Sequence, residues 1–461
     1  MSSIHHRTIS ILAFSFFDAW LLSFAYEGQT LYALFEAYHV DPGNLMLHAI
    51  IFHAAGLFAC GFIIKNIKTA RKIMLTAAGL CIAGSGVFFF APSVLWTISL
   101  PIVAFLAGLW NAAWGWFYRR CSSQNQRMGT VAASIAIGTT LMIGLNMTAI
   151  HLLPQVGLSL SMLCLAVSLV FIARLPKSAP EVRPPSSRIQ HTSILSPFAL
   201  LCLFIIVITI NSGLMFQVVN PAFAHLTTLT SWYWAIPYIA ALVIIARLPQ
   251  KKVNRSYVLY AALAIQGFGF IAFLLLDRTA VSYLVVNTLL LGAFGINDLF
   301  WWSILGEMLD FHNNPAKLMG LGLSANVAGV LLGELIAGLV TGATNSDVPT
   351  LMGLAVVCVA LVILPPLHKQ LTKLLRSSEF FAIVENMSPE QQQQTMEAAF
   401  HAAVLTEREN QIAALLLKGY TYRLISEELF ISESTVKTHI QNIYYKLGVR
   451  SKTDLIQKLI K

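Results

Sequence analysis

Twelve apolar stretches, each long enough to cross a bilayer, precede a polar tail, so one chain must satisfy two solvents. A spanning helix needs roughly 20 apolar residues. Such runs lie at about 9–26, 44–64, 73–91, 94–118, 128–150, 156–173, 195–220, 231–247, 257–276, 279–305, 318–341 and 349–366. Helices and closed barrels alone satisfy their backbone polar groups inside hydrocarbon, and runs of this length point to helices. Charged residues are 11% of the chain and mean hydropathy is +0.70, against about 25% charged residues in a soluble domain. A wholly soluble globular protein is excluded.

Basic residues predict the orientation, because loops rich in Lys and Arg stay in the cytoplasm. Loops after even-numbered spans hold Lys65, Lys68, Arg71 and Lys72, then Arg119, Arg120 and Arg127, then Arg174, Lys177, Arg183 and Arg188, then Arg247, Lys251, Lys252 and Arg255. Lys317 follows the tenth span and Arg7 precedes the first, whereas loops after odd-numbered spans hold Arg278 alone. An even span count then puts both termini in the cytoplasm, as expected for a multi-pass protein of a bacterial inner membrane. No cleavable signal peptide is expected: the basic start is weak and no small-residue cleavage site follows the first apolar run. Six cysteines are scattered through or beside the spans without CxxC spacing, so neither a zinc site nor a disulfide framework is predicted.

The spans divide into two sets of six around a polar, Pro-rich loop, RLPKSAPEVRPPSSRIQ, at 174–190. The halves echo each other: NAAWGW (Asn111 to Trp116) ends the fourth span and NDLFWW (Asn297 to Trp302) lies in the tenth. Each is followed by a basic residue near Met-Gly, Arg127-Met128-Gly129 and Lys317-Leu318-Met319-Gly320. Residues 1–370 thus resemble the major facilitator superfamily, whose halves pack around a central cavity at the midplane. The superfamily's best-known loop signature between the second and third spans is missing; Lys65–Lys72 keeps only its positive charge.

The expected domains are a membrane region at 1–366 (halves about 1–173 and 195–366), a linker at 367–404 and a DNA-binding domain at 405–461. After Pro365-Pro366 a soluble linker is predicted, with Ser388-Pro389-Glu390 opening a helix whose apolar stripe is Met396, Phe400 and Val404. Four short helices follow. Thr406 with Glu409 forms a capping box; that helix runs to about Lys418 and stops at Gly419. A second covers about Tyr422 to Phe430 and buries Ile425 and Leu429. Ser432 caps a third, which ends at Leu447 before Gly448, and Ser451 with Asp454 caps DLIQKLI. From Ser434 onward, six Lys or Arg residues oppose Asp454 alone, a balance suited to a phosphate backbone.

The run LTERENQIAALLLKGYTYRLISEELFISESTVKTHIQNIYYKLGVRSKTDLIQ resembles a LuxR/GerE-type helix-turn-helix domain nearly end to end. The likeness includes the LTERE opening, Gly419 to Ser426, the S-x-x-T-V-K-x-H block from Ser432 to His439, and KLGVRSKT. It implies that the third helix enters the major groove of double-stranded DNA. Lys437 and Thr438 would face groove and phosphates, and Gln441 would read a base edge. Thr421, Ser432, Thr435 and Lys452 would donate to phosphates. Val436, Ile440, Ile443, Tyr444 and Leu447 are expected in the core. The final helix, through Leu455 and Leu459, would pair two copies into a homodimer.

No Gly-rich phosphate loop, HExxH or paired nucleophile and base is present, so no enzymatic activity, cofactor or metal is expected. No soluble sensing domain precedes the tail, and sensing therefore falls to the spans. Ionisable residues inside spans are functional candidates: Asp18 in the first, Asp298 in the tenth and Glu334 in the eleventh, with Asn111 nearby as a polar partner. No Lys or Arg lies mid-span to pair with them. They are protonated, or hydrogen-bonded to groups such as Asn111, Asn211, Asn297 or Asn326, or neutralised by a cationic small molecule. Trp110, Trp114, Trp116, Trp301 and Trp302 offer an aromatic cage for a cation or an interfacial belt. The function expected is a membrane-bound one-component transcriptional regulator that senses a small molecule. A secondary transporter with a regulatory DNA-binding tail is the alternative.

Overall fold

Polar caps mark where the chain turns between apolar helices. Asn66 accepts from the Thr69 amide, Ser93 from Leu95 and Thr279 from Ser282, while Ser123 and Gln126 form a reciprocal capping box. Each satisfies an orphan amide of a first turn. The computed structural model describes residues 3–26, 28–176, 194–248, 255–341, 348–386, 405–417, 420, 422–449 and 455.

Among the described residues, twelve helices are long and apolar enough to span a bilayer. They are α1 (His5–Ala37), α2 (Gly43–Ile63), α3 (Ile67–Phe89), α4 (Val94–Cys121), α5 (Gln124–His151), α6 (Pro154–Arg174), α7 (Leu195–Ala222), α8 (Thr227–Arg247), α9 (Tyr257–Leu275), α10 (Ala280–Phe311), α11 (Pro315–Leu339) and α12 (Val348–Thr372). Three shorter helices follow: α13 (Glu407–Leu417), α14 (Tyr422–Leu429) and α15 (Glu433–Leu447). By internal contacts the chain forms two units. One holds Met1–Pro180 with Leu200–Leu364, the other Glu181–Ala199 with Pro365–Lys461.

Within the membrane unit, the two six-helix halves meet where α11 packs on α2 and α4, and where α5 packs on α8 and α10. Small residues let backbones approach closely, the main route to helix packing in lipid. On α11, Gly329 and Gly333 lie one turn apart, and a Cβ at either would sit 3.0 Å from the α7 backbone, at Ile206 Cα and Gly213 Cα respectively.

Three expectations need correction. The first span does not stop at residue 26: after a π-helical turn at Leu21–Ala25 the chain restarts as a helix at Gln29–Ala37. The Gly28 carbonyl accepts from the Leu31 and Tyr32 amides, and Leu31, Leu34 and Phe35 are buried. A matching π-helical turn, Met215–Val219, interrupts α7, the first helix of the second half. Nor does the Pro365-Pro366 pair end the last span: α12 is the apolar part of a longer helix, Val348–Asn386. An interior proline removes a donor and crowds the preceding turn, yet membrane helices tolerate it where neighbouring groups satisfy the freed carbonyls. Leu367, Leu371 and Leu374 form a buried stripe beyond it, and the Ser196 hydroxyl donates to Gln370 Oε1 at 3.0 Å. The linker helix expected from Ser388 lies outside the described residues. The expected tryptophan cage is also not formed by Trp110, Trp114, Trp301 and Trp302, which pack on other rings.

In the C-terminal unit the caps predicted at Thr406, Ser432 and Gly448 are present, while Gly419 and the Ser451–Asp454 cap of the last helix lie outside the described residues. The Thr406 amide donates to Glu409 Oε2 at 2.8 Å and the Glu409 amide to Thr406 Oγ1 at 3.3 Å. Ser432 Oγ accepts from the Thr435 amide, and Gly448 terminates α15 at φ +62°. Ile412, Ala413, Leu416, Ile425, Val436, Ile440, Ile443, Leu447 and Leu455 form one core, with Leu429 and Tyr444 packed at its edge.

Candidate DNA-binding face and membrane acidic group

Four buried residues on α15 fix which way its other side chains point. Val436, Ile440, Ile443 and Leu447 recur at helical spacing toward the core, so the opposite arc is left to solvent. Lys437, Thr438 and Gln441 are exposed, as are Ser432 and Thr435 at the helix start. The Ser432 hydroxyl already serves as the cap and lies 2.7 Å from both the Ser434 and Thr435 hydroxyls. Thr438 donates to the Ser434 carbonyl at 3.1 Å. Thr421 and Lys452 lie outside the described residues, as does Leu459.

The α13–α15 contact is held by charge as well as by packing. Lys446 Nζ lies 2.7 Å from Glu409 Oε2, while Arg408 Nη2 ties α13 to α14 by donating to the Leu429 carbonyl at 2.7 Å. Burial works against the charged form of Glu409. The Lys446 ammonium and the two Thr406 hydrogen bonds outweigh it and hold the carboxyl below its ordinary value. Two aromatic side chains stand free: Phe430, 94% exposed in the turn before Ser432, and Tyr445, 88% exposed on α15. Sequence patterning did not single out either, because an exposed aromatic leaves no periodic signature.

In the membrane unit, Asp298 of α10 and Asp18 of α1 both lie near Tyr238 of α8, the first in direct contact and the second at longer range. Tyr238 of α8 donates to Asp298 Oδ2 at 2.8 Å, and Trp301 Nε1 donates to Asp298 Oδ1 at 3.0 Å. Tyr238 also lies within electrostatic reach of Asp18, whose carboxylate packs against Gly138 of α5. Asn297, one of the expected asparagine partners, donates instead to Gln266 Oε1 at 2.9 Å. Asn111 is buried on α4 with Oδ1 unpartnered. Glu334 is half-buried on α11, its backbone toward Gly213 of α7.

The tryptophans form packing rather than an open cage. Trp110 stacks on Phe17 with centroids 3.6 Å apart, and Trp114 stacks on Tyr118 at 4.7 Å while its indole donates to Ser10. Phe14 touches both Trp114 and Trp302. Trp110, Trp114, Trp301 and Trp302 thus turn their faces to other rings rather than to a cation, while Trp116 is half-buried and stands outside these contacts.

Beyond this aromatic layer, toward the basic loops, the halves are tied directly. Arg127, at the start of α5, is 2% exposed; its Nη1 donates to the Gly306 carbonyl at 2.8 Å and its Nη2 lies 2.7 Å from Asp310 Oδ1. Arg119 approaches Asp310 at 3.6 Å and donates to the His312 carbonyl, and Gln124 donates to Asp310 Oδ2. Asn314 Nδ2 donates to the Gly61 and Ile64 carbonyls at the end of α2.

Twelve apolar helices in two meeting halves, with a capped helix-turn-helix on the same chain, define a membrane protein fused to a DNA-binding module. The comparisons with known proteins give each part its kin. Residues 403–459 match the family described as bacterial regulatory proteins, luxR family, and the C-terminal region is a LuxR-type helix-turn-helix domain. The transcriptional regulatory protein DegU of Brevibacillus brevis is 43% identical over 58 residues, 13% of this chain and 25% of that protein. The chain therefore spans about a quarter of the length of that curated relative. The membrane region has the major facilitator fold. It is similar to the human organic anion transporter MFSD10 (TM-score 0.58, 13% identity, 78% of this chain and 98% of that one). It is also similar to a bacterial homologue of the iron transporter ferroportin (TM-score 0.59, 15% identity, 80% and 100%) and to the proton:xylose symporter XylE (TM-score 0.59, 11% identity, 80% and 94%).

Proposed function

We propose that this protein is a membrane-bound, one-component transcriptional regulator of a bacterial inner membrane. Residues 1–366 bind a small molecule, 367–404 link, and 405–461 bind double-stranded DNA as a homodimer in the cytoplasm, where both termini lie. The observation that carries this is the capped and packed α13–α15 unit, with an exposed α15 arc, on a chain with twelve described helices long and apolar enough to span a bilayer. Lys437, Thr438 and Gln441 face the groove, Ser432 and Thr435 its phosphates, with Thr421 and Lys452 as further donors. Asp18, Asn111, Asp298 and Glu334 are the ligand-binding candidates. Asp298 has both oxygens supplied with donors from Tyr238 and Trp301, which leaves Asp18 as the acceptor for a ligand's donor or a proton. A ligand acts by binding one arrangement of the halves better than the other and so shifting the population.

Chromatin immunoprecipitation with the full-length, membrane-embedded protein tests the reading. Enrichment of discrete promoters that vanishes in Gln441→Ala supports it, whereas uniform recovery across the chromosome refutes it. The tied halves and the transporter fold favour a second reading, a secondary transporter carrying a regulatory tail. Saturable, ion-gradient-driven uptake into proteoliposomes decides for that alternative.

A further inference from the structure

We infer that Tyr445 is a DNA-backbone contact, its phenol donating to a phosphate on the wall of the major groove read by α15. The inference rests on the proposal that α15 is the DNA-reading helix. Tyr445 lies on the arc diametrically opposite Val436, Ile440, Ile443 and Leu447, in line with Thr438 and one turn beyond Gln441. It is 88% exposed, and its hydroxyl makes no hydrogen bond to any described residue. A tyrosine gains nothing from standing in water on a helix so short of apolar support, since its ring is worth burying and its hydroxyl worth pairing.

Position along the helix selects backbone over base. At 1.5 Å per residue, Tyr445 stands about 18 Å from the start of α15 at Glu433. The major groove is only about 12 Å wide, so a helix that enters by its N-terminal end carries this ring past the base edges to the sugar-phosphate wall. Tyrosine is a recognised phosphate donor. The surrounding charge agrees, since the chain from Ser434 onward carries six basic residues against one acid.

A neutral donor and a cation leave different traces. Neutralising a phosphate with Lys releases counterions and steepens the salt dependence of binding, whereas a phenol does not. The test uses the full chain in detergent micelles and a fluorescein-labelled duplex of mixed sequence, with anisotropy titrations over a range of salt. Tyr445→Phe is expected to weaken binding about three- to tenfold with an unchanged slope of log affinity against log salt. Lys437→Ala is expected to lower that slope by about one. Binding by Tyr445→Phe within twofold of the parent overturns the inference. So does a loss confined to Tyr445→Ala, which would mean the ring packs on sugar without donating. If the parent chain binds no duplex at all, the assignment of α15 fails first. Circular dichroism of each variant confirms that this exposed position leaves the fold intact.

Discussion

Arg127 reaches from the first half of the membrane unit into the second, where its guanidinium meets Asp310 at 2.7 Å while almost wholly buried. Asp310, by contrast, keeps a 32% exposed side chain and serves Arg119 and Gln124 as well. Removing the acid leaves a buried cation uncompensated, whereas removing Arg119 takes away a longer and wetter contact. Asp310→Asn is therefore expected to destabilise the membrane unit by about 3 kcal/mol and Arg119→Ala by about 1 kcal/mol or less. Thermal melts of the detergent-purified variants check the order.

Gly138 marks where α1 and α5 press together beside Asp18. A Cβ there would lie 2.6 Å from Asp18 Oδ2 and 3.3 Å from the Ser15 carbonyl. Gly138→Ala must push Asp18 aside, at a cost of about 1–3 kcal/mol. The variant should melt earlier than the parent and lose ligand response together with Asp18→Asn. Unchanged melting would show that the two helices have room to spare.

The Glu409–Lys446 pair makes the stability of the C-terminal domain pH-dependent. Because the folded carboxyl is held below its ordinary value of 4.5, its contribution is fully present above that value and is lost as pH falls through the folded one. Glu409→Gln should cost about 1 kcal/mol at neutral pH and flatten the stability profile below pH 5. Amide hydrogen exchange in α13 and α15, followed against pH, reads both effects.

Phe430 sits at φ +55° while 94% exposed. A side chain with a Cβ pays roughly 1–2 kcal/mol for this left-handed conformation, and here no packing offsets it. Phe430→Gly should stabilise the domain by about 1 kcal/mol, seen as slower exchange in α14. Destabilisation instead would mean that the ring is covered in the intact protein.

Lys437 and Gln441 share the exposed arc of α15 but differ in chemistry. Lys437→Ala should weaken binding to every duplex alike, whereas Gln441→Ala should alter preference at one or two base positions, each worth about 1–3 kcal/mol. Selection of bound sequences from a random pool separates the two. Equal losses on selected and random DNA for both variants would overturn this division of labour.

The twelve helices and the helix-turn-helix were legible from the residues alone, because both are local. Apolar length fixes a span, and Thr406, Glu409, Ser432 and Gly448 cap their helices through neighbours at most a few residues away. What the polar groups inside those helices do depends on how the helices pack. Arg127, one of many basic residues that set orientation, turned out to tie the two halves, although its partner lies 183 positions along the chain. Asp298 drew Tyr238 and Trp301 rather than the asparagines that surround it in sequence, and the tryptophans spent their faces on one another and on Phe14, Phe17 and Tyr118. In a medium with no water to satisfy a stray donor or charge, partners are chosen by which helices touch, and helix spacing in sequence carries no record of that.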